Sequence, residues 1–100
     1  MHIDLNRVAL IRSVVAQVMK VNPADLNGCE HRKDEHKNAR ALFTLVLFEE
    51  GLKPPQIARE IGKTRWVVYY RIEMATDLLS YHKTTKKQYL KIIQTIENED

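Results

Sequence analysis

A chain of 100 residues, 44% hydrophobic and 29% charged, is sized for one folded domain with a modest core. No apolar run approaches the roughly 20 residues of a membrane span, and the polar residues after Met1 carry no export signal, so a cytoplasmic location without a membrane partner is expected. The lone cysteine, Cys29, excludes an internal disulfide and suits a reducing compartment, while a net charge of +3 leans towards nucleic acid.

The first predicted element is a helix over residues 3–18. Val8, Ile11, Val15 and Val18 recur at three- and four-residue steps, with Arg7 and Arg12 off that stripe. Asn22-Pro23 restarts the chain, with Asn22 as N-cap and Pro23 at the first helical position. This second helix is short, because Asn27-Gly28 breaks it. Residues 29–35 form a polar loop or the frayed start of the next helix. Residues 37–50 carry Ala39, Leu42, Phe43, Val46 and Leu47 on a broad apolar face, which predicts a core helix buried from two sides and stopped by Gly51. Pro54 or Pro55 opens a helix that ends at Ile61. A long helix runs from Thr64 or Arg65 to about Tyr81. Thr84-Thr85 offers the cap for a last helix over residues 86–97, with Tyr89, Ile92, Ile93 and Ile96 on one side. VVYY at 67–70 has high β propensity but sits inside a 3.6-residue period. The expected fold is all-α, with five or six helices in one domain over residues 1–100.

The most informative stretch is PPQIAREIGKTRWVVYYRIE, residues 54–73. Ile57, Ala58 and Ile61 form a short apolar stripe. Gly62 sits where a tight turn needs positive φ, and the small Ala58 one turn earlier lets two helices cross closely. Thr64 caps a second helix through Val68, Ile72, Ala75 and Leu79. This is the pattern of a helix-turn-helix, and it predicts that the second helix enters the DNA major groove. Charge agrees. Lys53, Arg59, Lys63, Arg65 and Arg71 stand against one acid, Glu60, so this segment concentrates the positive charge that phosphate contact requires.

The order of elements resembles the C-terminal DNA-binding domain of the bacterial replication initiator DnaA, a Trp-repressor-like helix-turn-helix. The resemblance is carried by Val21-Asn22-Pro23-Ala24-Asp25-Leu26, by the basic loop Glu30-His31-Arg32-Lys33, and by Ala39-Arg40-Ala41-Leu42-Phe43. Leu52 to Gly62 matches the family's "l...eIg..iG" pattern. The tail is similar too, with Asp77-Leu78-Leu79 ending the long helix and Lys86-Lys87-Gln88-Tyr89 in the last one. The family opens its reading helix with Asp-His-Ser/Thr-Thr-Val. Here Thr64-Arg65-Trp66-Val67-Val68 stands in that place, and only the core valine, Val68, is kept. The resemblance therefore implies the scaffold and double-stranded DNA as ligand, but not the initiator's own DNA sites. With no Walker A motif, a complete initiator is not expected.

On the reading helix, the residues expected to face outward are Thr64, Arg65, Trp66 and Tyr69, with Tyr70 next to them. Arg65 can bridge O6 and N7 of guanine, and Trp66 can pack on a thymine methyl or the sugar backbone. Tyr69 and Tyr70 diverge by about 100°, so one is expected in the groove and the other against a neighbouring helix. Arg71 falls where the fold prefers an apolar residue. Lys63, Lys53 and Gln56 are the expected phosphate contacts, Gln56 with help from its helix N-terminus. Arg32, Lys33 and Arg40 match the family's basic loop and the helix after it, and the resemblance implies that the loop reaches an adjacent groove or the backbone. Cys29, His31 and His36 in C-x-H-x4-H match no paired zinc-ligand spacing, so no metal is expected. No catalytic arrangement, and hence no enzyme or cofactor, is read from the residues. The alternative function is a protein-interaction module, with Trp66, Tyr69 and Tyr70 meeting a second copy or a protein partner.

Overall fold

The computed structural model describes residues 5–27 and 33–99. They form five α-helices and one 3-10 turn, with no strand among the described residues. In chain order these are α1 (Leu5–Met19), the turn Pro23–Leu26, α2 (Asp34–Glu49), α3 (Pro54–Ile61), α4 (Arg65–Tyr81) and α5 (Lys83–Asn98). The Cα radius of gyration is 12.2 Å, close to the roughly 13 Å of a folded chain this long.

α2 is the hub and touches every other element. Nine consecutive residues, from Ala39 to Leu47, are buried, as expected of a helix surrounded by others. Phe43 is fully buried at its centre, with the Arg12 guanidinium 4.8 Å over its ring. Around α2 pack Val8, Ile11 and Val15 from α1, Ile57 and Ile61 from α3, Val68 and Ala75 from α4, and Ile92 and Ile96 from α5. α2 begins three residues earlier than the periodicity indicates. Asp34 and Glu35 occupy its first turn, where carboxylates favour the helix dipole.

Local chemistry sets most of the ends. Asn22 Oδ1 accepts from the Ala24 N–H at 3.0 Å and opens the 3-10 turn, with Pro23 following. α2 stops at Gly51, whose φ of +111° suits glycine; there the Leu52 N–H reaches Leu47 O at 3.1 Å. α5 departs from expectation. Its cap is His82, whose Nδ1 accepts from the Thr85 N–H at 3.2 Å, and the helix begins at Lys83. Thr85 is thus inside the helix and buried, its hydroxyl 2.6 Å from the same Nδ1. An imidazole takes the capping role expected of the threonine pair.

Candidate nucleic-acid interface

α3 and α4 are joined by three residues, Gly62, Lys63 and Thr64. Gly62 lies in the left-handed region at φ +65°, ψ +35°. Its N–H donates to Arg59 O at 3.4 Å, and the Lys63 N–H donates to Ala58 O at 3.0 Å. Those bonds satisfy carbonyls at the end of α3 and reverse the chain. Thr64 is extended, and its Oγ1 accepts from the Val67 N–H at 3.4 Å, so α4 starts at Arg65. The turn is therefore held from both sides.

Burial of α4 decides which residues face out. Val68, Arg71, Ala75 and Leu78 are buried, with Ile72 and Leu79 only partly so. The inward stripe is rotated from the Val68-Ile72-Ala75-Leu79 reading. Arg71, read as part of the basic face, is only 6% exposed and interacts within the chain. The opposite side carries the exposed Thr64, Arg65 and Trp66, with Trp66 at 82%. Tyr69 and Tyr70 are 49% and 68% exposed, so neither packs into a neighbouring helix as expected. Their 100° divergence straddles the outward direction, because the buried stripe lies on the far side of both. Trp66 and Tyr69 meet edge to face, with ring centroids 6.5 Å apart and planes at 75°.

The basic residues around this tip keep different company. Lys53 and Arg59 are exposed and Lys63 is half-buried. Arg59 is a further outward cation beside the expected contacts Lys53 and Lys63. Its place opposite the Ile57-Ala58-Ile61 stripe already marks it as outward. Glu60, the single acid, interacts with Arg12 of α1: burial lowers the pKa of that guanidinium, and the Glu60 carboxylate opposes the shift. Arg12 also donates to Asn27 Oδ1.

Gln56 Oε1 accepts from the Lys53 N–H at 2.8 Å, which leaves its Nε2 as the group able to donate to a phosphate. The helix N-terminus offers less than expected. Pro54 and Pro55 have no N–H, and the N–H groups of Gln56 and Ile57 donate to Lys53 O at 2.9 and 3.0 Å. Any anion at this end must be met by the side chains of Lys53 and Gln56.

The structure separates the remaining candidates from the tip. Arg40 is 5% exposed, and its Nε donates to Asp25 O at 2.8 Å, fastening α2 to the 3-10 turn. Lys33 is exposed at the start of α2, where its carbonyl accepts from His36 and Lys37. Arg32, Cys29 and His31 lie outside the described residues. His36 Nδ1 stands 3.6 Å from Asp25 Oδ2, so its neighbour is a carboxylate of the 3-10 turn. Among the described residues no helix is long and apolar enough to cross a membrane. The chain matches no family model and no curated protein.

Proposed function

We propose that this chain is a small double-stranded-DNA-binding protein that seats the first turns of α4 in the major groove. The observation that carries this reading is the uncovered tip of α4. Arg65, Trp66, Tyr69 and Tyr70 project from a helix whose other side is locked into the core, beside the cations of α3 and the turn. A glycine turn and a threonine cap make that projection rigid, which is what base-edge contact needs. Arg65 reads base edges, Trp66 packs on a thymine methyl or sugar, and Lys53, Gln56, Arg59 and Lys63 hold phosphates. On this reading the pair α3–α4 is a helix-turn-helix of the kind found in the DnaA C-terminal domain. A replication or transcription regulator is the role such a scaffold suits.

The test is affinity for mixed-sequence duplex DNA as a function of salt. Three cations on phosphates, Lys53, Arg59 and Lys63, allow a log K against log salt slope of up to about −3, at roughly −0.9 per phosphate. Absence of binding at low salt, or a flat slope, rejects the reading. Arg65→Ala is expected to relax sequence preference, measured by selection from random duplexes. Lys63→Ala is expected to weaken all sequences alike, by up to about tenfold. The second reading, a protein-interaction surface, is favoured by the 82% exposure of Trp66 and its contact with Tyr69. It gains if Trp66→Ala abolishes capture of a protein partner while duplex binding is absent in the unaltered chain.

A further inference from the structure

The outer face of α4 changes character beyond its tip. Tyr70, Glu73, Asp77 and Tyr81 follow one another along it, with Met74 and Leu78 as a floor, and line an open groove of about 280 Å³. The groove holds two carboxylates and no base. Tyr70 and Tyr81 are eleven residues apart, about 16 Å along the helix, so the groove suits an elongated partner and not a compact cation. Phosphate is repelled from it.

The outer face of α5 is its counterpart. Lys83, Lys86, Lys87 and Lys91 are all exposed, with no acid between residues 83 and 96. Leu90 stands among them, 55% exposed. Lys83, Lys87 and Lys91 recur at one-turn steps of about 6 Å, the same step that separates Glu73 from Asp77. Among the described residues, none of these four lysines and neither carboxylate is in an ion pair of its own chain.

We infer that the α4 groove receives the lysine face of α5 from a second copy of this chain. The lysines meet Glu73 and Asp77, and Leu90 packs between the tyrosines. The two patches are different surfaces, so each copy offers α5 to one neighbour and accepts α5 from another, a head-to-tail contact. The contact covers Tyr70 but leaves Arg65 and Trp66 open to DNA, and it does not depend on the DNA-binding reading.

The experiment is sedimentation equilibrium of the full chain without DNA. The unaltered protein is expected to associate at about 0.1 M salt, where the screening length is near 10 Å, and to dissociate at about 1 M, where it is near 3 Å. Glu73→Lys with Asp77→Lys, and Lys83→Glu with Lys87→Glu, are each expected to be monomeric. Mixed in equal amounts, the two variants should associate again, starting from a pair of twice the 11.7 kDa chain. Leu90→Asp, a single exposed substitution, should also give a monomer and replaces either double variant that fails to fold by circular dichroism. A monomeric unaltered chain at low salt, association unchanged by the substitutions, or a mixture that stays monomeric would each overturn the inference. So would lysine variants that lose duplex binding but keep self-association, since the α5 face would then be a phosphate contact.

Discussion

At the residue scale, Gly62 and Lys20 form a natural comparison. Both end a helix in the left-handed region, Gly62 at φ +65° and Lys20 at φ +58°. Both turns are closed by the same bonds, since the Val21 N–H reaches Ala16 O at 3.0 Å and the Lys20 N–H reaches Gln17 O at 3.3 Å. A Cβ on Gly62 would touch nothing within 4 Å, so the penalty for adding one is conformational and not a clash. Gly62→Ala is therefore expected to lower stability by about 1 kcal/mol. Lys20→Gly should raise it by about 0.5–1 kcal/mol, as relief of backbone strain outweighs the freer unfolded chain. Urea midpoints of the two variants check both signs. Gly62 was legible because glycine announces positive φ. Lys20 was not, because nothing in a lysine's chemistry marks a left-handed turn.

At the scale of elements, the capping of α5 is the point where sequence reading and structure part. Thr84-Thr85 is the natural cap by residue type, yet Thr85 is buried on the same face of α5 as Ile92 and Ile96, and His82 fills the place. His82→Ala is expected to cost about 1 kcal/mol, and His82→Asn to recover most of it, since an amide oxygen also accepts the Thr85 N–H. Thermal or urea unfolding checks the pair; equal losses would show that the imidazole acts by packing alone. The other helices were largely readable. α3 and α4 appear within one residue of their expected bounds because Pro54, Gly62 and Thr64 are local signals. The rotation of α4 was not readable. Arg71 and Leu78 replace Ile72 and Leu79 as its most buried positions, and arginine at an inward position defeats any hydrophobic periodicity.

At the scale of the whole molecule, one long-range bond ties the last helix to the hub. The Tyr89 phenol donates to Glu49 Oε1 at 2.6 Å, joining α5 to the end of α2. Burial, aided by the Glu49 carboxylate, raises the Tyr89 pKa well above its ordinary value. The folded state then keeps a proton that the unfolded chain releases above about pH 10, so stability is full below that pH and falls as pH rises beyond it. Tyr89→Phe is expected to flatten this alkaline fall and to cost about 1 kcal/mol near neutral pH, measured by urea unfolding at a series of pH values. Sequence alone determined the all-α class, the core helix, the glycine turn and the exposed Trp66. Each of these follows from periodicity or from a residue whose backbone preference is strong and local. Only the tertiary structure decided that Arg40 and Arg71 turn inward, that both Tyr69 and Tyr70 stay out, and that Glu60 works with Arg12 of a distant helix. Those outcomes depend on which neighbour covers which face of a helix, and contacts between residues far apart in sequence leave no mark in local spacing.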